Sequence, residues 1–200
     1  MRWNNLFDDL ESQLEHELGA EEVDLKGEEE RLRLGRLSLR DRLLSIHDSA
    51  GERGEYSIRV ALIDGTSVRI VPSSFGKDWM SADLADESRR RTQVVLPLAA
   101  IGSLILDRQQ VTASLQPAPA TESARGLSAR LSLSFVLRDL CRRRSPLDLQ
   151  LREGLLHGTI DRVGRDHCDI AVHEPGTVRR EAEVTQYRVV PFAQLLLVRM

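Results

Sequence analysis

Histidine, thiol and carboxylate groups crowd into one stretch of this chain, from His157 to His173, and any covalent or metal chemistry has to be sought there. Zinc needs three or four nitrogen or sulfur ligands converging on one point. His157 and His173 are spaced to meet across a hairpin, which makes them weak metal candidates. Cys168 falls on the opposite face, His167 sits two pairs away, and no CxxC or HExxH spacing occurs. Thiol catalysis by Cys168 needs an adjacent base, but neighbouring strand residues point to opposite faces, so His167 is badly placed to activate it. There is no GxSxG, no Walker loop and no GxGxxG. The expectation is a protein that is not an enzyme and carries no cofactor.

Arginine is the second chemistry-bearing feature. Lys26 and Lys77 are the only lysines among 28 basic residues. The clusters Arg89-Arg90-Arg91, Arg142-Arg143-Arg144 and Arg179-Arg180 would form a phosphate track if they shared a face, and Trp79 offers a ring on which a base could stack. Net charge is −3, but residues 1–30 hold 11 acids against Arg2 and Lys26, giving −9; the remaining 26 bases and 20 acids give +6. An acidic arm set against an arginine-rich body suggests an arm that modulates access of RNA or DNA.

The elements that position these residues are written twice. Phe75-Gly76-Lys77-Asp78-Trp79-Met80 is echoed by Val163-Gly164-Arg165-Asp166-His167-Cys168. Val95-Leu96-Pro97-Leu98-Ala99-Ala100-Ile101 is echoed by Val189-Val190-Pro191-Phe192-Ala193-Gln194-Leu195, and Arg36-Leu37-Ser38-Leu39 by Arg130-Leu131-Ser132-Leu133. Ordered matches of this kind indicate a duplicated unit. Each unit reads as a helix followed by a five-strand meander.

Taken in order, Trp3, Leu6, Phe7, Leu10, Leu14 and Leu18 fall at helical steps and predict an amphipathic helix over residues 3–18. Leu32 to Ile46 reads as one leucine-rich helix. Tyr56, Ile58, Val60 and Leu62 alternate on a strand, Asp64-Gly65 makes a tight hairpin, and the following strand is expected to stop at Pro72. Further strands start near Trp79, Gln93 and Ile101. Residues 107–128 lack apolar periodicity and read as a linker. A second helix covers Ser132 to Arg144, with strands at 147–151, 155–163, 167–173, 184–190 and 193–199.

A three-residue turn at Gly164-Arg165-Asp166 pairs Ile160 with Ile170 and Gly158 with Val172, whereas a two-residue turn would set Ile160 against Asp169. The same register places His157 beside His173, and Asp161 beside Asp169, on the outer face. Gly158 falls where a strand bends.

The Gly154, Gly158, Ile160, Val163 pattern, on a helix followed by five strands, resembles the Sm-like (LSm) small barrel. The two repeats together are similar to an uncharacterised actinobacterial family of tandem barrels with an acidic N-terminal helix. The resemblance implies two Sm-like five-strand barrels, each preceded by a helix, and joining edge to edge through strands four and five. The RNA-gripping residues of Sm proteins do not carry over, since the loop Val163 to Cys168 lacks their aromatic and Asn, and Val189-Val190-Pro191-Phe192 lacks their Arg-Gly pair.

The expected organisation is an acidic helical arm over 1–30, a first barrel over 31–106, the linker over 107–128 and a second barrel over 129–200. No apolar run approaches the roughly 20 residues that span a bilayer, and no secretory signal is visible. Cys141 and Cys168 suit a reducing cytoplasm. The expected function is non-catalytic scaffolding through a protein partner or self-association, with RNA or DNA binding as the alternative and no membrane partner. A metal-dependent enzyme using His157 and His173 is the remote third reading.

Overall fold

In a computed structural model of the chain, residues 22–50, 56–85, 92–116, 126–177 and 179–200 are described. The helix expected over residues 3–18 and the Arg89-Arg90-Arg91 cluster lie outside the described residues. The chain divides into two compact units, Met1–Asp41 and Arg42–Met200.

In the first unit, α1 covers residues 22–36 and is largely exposed. It is laced by one-turn ion pairs, Lys26 to Glu22 at 2.7 Å and Arg33 to Glu30 at 2.6 Å. The single helix expected from Leu32 to Ile46 is in fact two. Ser38 Oγ donates to Asp41 Oδ2 at 2.6 Å and accepts from Asp41 N–H at 3.1 Å, and this reciprocal cap opens a new helix, α2, over Leu39–Ala50.

The second unit carries ten strands: β1 (Ile58–Leu62), β2 (Ser67–Phe75), β3 (Trp79–Leu84), β4 (Thr92–Pro97), β5 (Ile101–Ile105), β6 (Pro146–Leu151), β7 (Gly154–Val163), β8 (His167–Val172), β9 (Gln186–Pro191) and β10 (Leu195–Arg199). They form one antiparallel sheet in the order β5-β1-β2-β3-β4-β10-β6-β7-β8-β9. This overturns the expectation of two separate five-strand barrels. The physical reason lies at β4: its open hydrogen-bonding edge is taken by β10 of the other half, with Val198 opposite Val95 and Arg199 opposite Val94. A strand bonded across the repeat boundary has no edge left with which to close its own half. The sheet therefore runs on, open at β5 and β9.

The duplication holds residue by residue. Each half has the strand order fifth, first, second, third, fourth. In β1–β5 the pairs are Val60–Leu104, Ala61–Ser103 and Leu62–Ile101, with a bulge between Ala61 and Leu62. In β6–β10 the matching pairs are Leu149–Val198, Gln150–Leu197 and Leu151–Leu195, with an irregularity at the same place. The second and third strands bulge at Pro72/Ser74 in one half and at Ile160/Arg162 in the other.

Those bulges correct two expectations. β2 passes through Pro72, because a proline without an N–H is tolerated where the ladder is already interrupted. Asp161 is the extra residue of its bulge, so Arg162, not Asp161, stands opposite Asp169. The expected pairs Gly158–Val172 and Ile160–Ile170 are present. Gly158 is required by close approach: a Cβ there would lie 2.4 Å from the carbonyl oxygen of Ala171.

Two further helices complete the unit. Inside the stretch read as linker, α3 (Arg108–Ser114) is opened by a capping box between Asp107 and Gln110. It was invisible to apolar periodicity because its fastenings are polar: Ser114 accepts from Arg42 and Gln110 donates to the carbonyl of Ser57. α4 (Leu133–Arg143) buries Leu133, Leu137 and Leu140, which fall on one face at helical steps, and ends at Arg144 in the left-handed conformation, φ 51°.

Two apolar cores form, and each borrows from the other half of the sheet. The first gathers Leu43, Ile58, Val60, Ile70, Met80 and Leu96 around Leu196 and Leu197 of β10. The second gathers Leu137, Leu147, Leu149, Ile160, Ile170 and Val198 around Trp79 and Val95 of the first half. Burial on both sides of the β4–β10 joint, at about 25 cal/mol per Å² of apolar surface, is what holds the halves together.

Candidate assembly interface

The residues singled out for chemistry are mostly occupied with their own chain. His157 and His173 do meet, ring centroids 5.2 Å apart and edge to face. They are not an exposed pair, however, because His173 is buried. Asp148 Oδ1 lies 2.6 Å from His157 Nδ1, and Thr159 Oγ1 lies 2.9 Å from His173 Nε2. These bonds fix both rings with their faces and edges in contact rather than with lone pairs aimed at a common point. Among the described residues, no group of three or more His, Cys, Asp or Glu is placed to hold a metal ion. Cys168 sits in the core, where burial pushes its thiol up to about 12, and Cys141 donates to the carbonyl of Asp161 at 3.3 Å. His167 bonds to Asp166 and leaves Cys168 alone.

Most of the described arginines of the expected phosphate track face carboxylates. Arg142 and Arg143 both bind Asp139, at 2.5 and 2.7 Å. Their guanidinium groups hold the Asp139 carboxyl below the ordinary carboxylate range. Arg179 grips Asp161 with two bonds of 2.9 and 2.6 Å, and the carboxylate raises the guanidinium in return. Arg144 and Arg180 are exposed. A polar hollow of about 430 Å³ lies beside β9, but its arginines are matched there by Asp161, Asp169 and Glu181. Trp79 is 7% exposed and packs in the second core, so its ring faces are not free to stack a base.

Trp79 instead belongs to a joint. Its Nε1–H donates to the carbonyl of Leu131 at 3.0 Å, beside Lys77 N–H, which donates to the same oxygen at 2.9 Å. Asp78 Oδ1 accepts from Leu133 N–H at 2.7 Å, taking one of the unpaired amides that open α4. The turn between β2 and β3 thus clasps the front of the second half's helix, while β4 takes the second half's last strand. Together they form the main joint between the repeats, in which one turn and one strand edge receive and one helix start and one strand donate; Gln150 adds bonds to Asp64 and Thr66.

The same features recur, uncovered, at the ends of the sheet. Val95 is 2% exposed and its counterpart Val189 is 67% exposed. Pro97 is buried and Pro191 is exposed. On the donating side, Leu133 is 5% exposed and its counterpart Leu39 is 39% exposed. Ile105, on the free edge strand β5, is also exposed. An apolar row on an unpaired strand edge is a template for another strand. The motif repeats that located the duplication also contained this signal. What the sequence did not offer was the pairing of β4 with β10, which tells the covered copy of each residue from the uncovered one.

No protein family, no curated protein and no solved structure matches the chain. Among the described residues, no helix is long and apolar enough to cross a membrane.

Proposed function

We propose that this protein is a non-catalytic assembly module that joins head to tail, β9 of one copy pairing with β5 of the next. The reading rests on one observation: the chain already makes this joint once, internally, between β4 and β10. Carrying the internal register over to the ends sets Leu104 opposite Val189, as Val198 stands opposite Val95. It also sets Ile105 opposite Arg188, where the internal joint has Arg199 opposite Val94. The apolar and the cationic member have changed sides, but each joint keeps one of each. The kinship proposed with Sm-like proteins is this manner of joining, strand four to strand five, and not a closed barrel.

Nucleic-acid binding draws less support, because Arg142, Arg143 and Arg179 are neutralised by Asp139 and Asp161 of the same chain. A cytoplasmic setting suits the free thiols Cys141 and Cys168. Sedimentation velocity on the full chain over a wide concentration series is the test. Species that grow with concentration are expected, and a monomer at every concentration would sink the reading.

A further inference from the structure

We infer that the turn Gly164–His167, between β7 and β8, is a docking seat for the start of helix α2 of a second copy of this chain, specifically Leu37, Ser38 and Leu39. The inference rests on the head-to-tail reading and adds to the strand edge a second, chemically distinct contact.

The two turns of the duplicated sheet have one shape. Gly76 N–H donates to Trp79 O at 2.8 Å, and Gly164 N–H to His167 O at 2.9 Å. Asp78 O accepts from Leu98 N–H at 2.9 Å, and Asp166 O from Phe192 N–H at 2.8 Å. In both, the ring crowds against the glycine. A Cβ on Gly76 would come within 2.0 Å of the Trp79 ring, and one on Gly164 within 2.5 Å of the His167 ring. Both turns therefore present the same row: a backbone N–H, a carboxylate and a ring.

On the first turn that row is taken by Leu131 and Leu133, through the bonds from Lys77, Trp79 and to Asp78. On the second, no described residue outside the turn donates to the Asp166 carboxylate. One of its oxygens is engaged by His167 Nδ1 at 2.8 Å, inside the turn itself. The His167 side chain is 45% exposed where Trp79 is covered. The segment that matches the occupant of the first turn is Arg36-Leu37-Ser38-Leu39, and it too stands at a helix start, with Leu39 as the first residue of α2. A carboxylate accepting from the first amides of a helix is favourable both as a charged hydrogen bond and through the helix dipole. In the assembled pair, Asp166 takes Leu39 N–H, Arg165 N–H donates to Leu37 O, and the Leu37 and Leu39 side chains cover the imidazole.

The clasp adds to the strand edge a second contact of the kind that joins the halves of a single chain. Where the internal copy has Trp79 donating across the joint, His167 gives its Nδ1–H to Asp166, so the contact between chains has one ring donor fewer and covers less apolar surface.

Thiol cross-linking in the full chain tests the clasp, with Cys141 replaced by Ser throughout to lower background. Chains carrying Leu39→Cys are mixed with chains carrying Asp166→Cys and treated with a short bismaleimide; a parallel mixture pairs Leu104→Cys with Val189→Cys. A cross-linked heterodimer in the first mixture, absent from either variant alone, is the expected result. A heterodimer in the second mixture only would overturn the clasp while leaving the strand joint standing. A heterodimer in neither would overturn both. As a second measurement, Asp166→Ala should weaken self-association roughly ten- to a hundredfold, as loss of one charge-assisted bond does, with Asp166→Asn falling between because its amide oxygen still accepts. An Asp166→Ala dissociation constant equal to that of the parent chain would also overturn the clasp.

Discussion

Placing an aspartate at either of two matched positions separates the joint inside the chain from the joint proposed between chains. Val95 is 2% exposed and packs in the second core beside Trp79, Leu133 and Val198. Val95→Asp removes a buried valine, worth about 1.5–3 kcal/mol, and leaves a carboxylate among apolar side chains, which costs several kcal/mol more. The expected loss is on the order of 4 kcal/mol or more, a large share of the ~5–15 kcal/mol that holds a domain of this kind folded. Val189, at the same place in the repeat, is 67% exposed, so Val189→Asp should change monomer stability by less than about 0.5 kcal/mol. Its effect belongs to association. Covering that valine against Leu104 contributes about 1 kcal/mol, and desolvating a carboxylate in its stead makes the total loss at least a hundredfold in dissociation constant, about 3 kcal/mol. Urea unfolding followed by far-ultraviolet circular dichroism reads the first quantity, and sedimentation velocity reads the second. The reasoning is refuted if Val95→Asp unfolds at the parent's midpoint, if Val189→Asp is destabilised as much as Val95→Asp, or if it associates as the parent does.

The remaining predictions follow from single contacts. Gly158→Ala should destabilise the chain by about 1–3 kcal/mol in the same urea titration, because the new methyl meets the Ala171 carbonyl, a backbone atom that cannot swing away. Ser103→Leu should tighten self-association about tenfold, since Ser103 holds the place that buried Leu197 holds in the internal joint; an unchanged dissociation constant would count against the carried-over register. Burial raises both thiols, but Cys168 is held up at about 12 and fully buried while Cys141 is partly exposed, so at pH 8 an alkylating reagent should modify Cys141 well before Cys168; mass spectrometry of the folded chain reads the difference. Asp64, Asp139 and Asp166 are all held below the ordinary carboxylate value of 3.8 by their hydrogen-bond donors. A depressed carboxyl stabilises the folded form above that value and loses its contribution as pH falls through the native value, so stability should decline below pH 4 and be flat with respect to these groups at neutral pH.

Much of the sheet was legible because strands with one buried face must alternate. Ile160 and Ile170 fixed the register of β7 on β8 by themselves, and the echo of Phe75–Met80 in Val163–Cys168 gave the repeat. Three features escaped for physical reasons. The cap at Ser38 splits a leucine-rich run whose apolar spacing alone reads as continuous. The helix after Asp107 is secured by Ser114 and Gln110 and carries no apolar stripe to be seen. The pairing of β4 with β10 joins residues more than a hundred positions apart, and nothing local in Thr92–Pro97 says whether the strand bonds to its own half or to the other. The site residues fared likewise: His157 and His173 were rightly brought together, but the expected outer-face position did not reveal that His173 is buried and bonded to Thr159.

The internal joint also explains why the proposed one should be weaker. Across the inner boundary β10 presents Leu196 and Leu197 to the first core, both fully buried. The matching places on β5 are Gly102 and Ser103, and Gly102 has no room to become larger, since a Cβ there would stand 3.2 Å from the carbonyl oxygen of Leu62. The end of the sheet is thus built to offer less apolar surface than its middle. The inner joint, moreover, is formed by segments of one chain and so acts at a high effective concentration, an advantage that separate molecules lack. A contact that uses different surfaces on its two partners is heterologous: it either closes on itself or runs on. A fully apolar β5 edge would drive that growth at any concentration, whereas Gly102 and Ser103 hold it to a range in which concentration, and the clasp at Asp166, decide whether copies join.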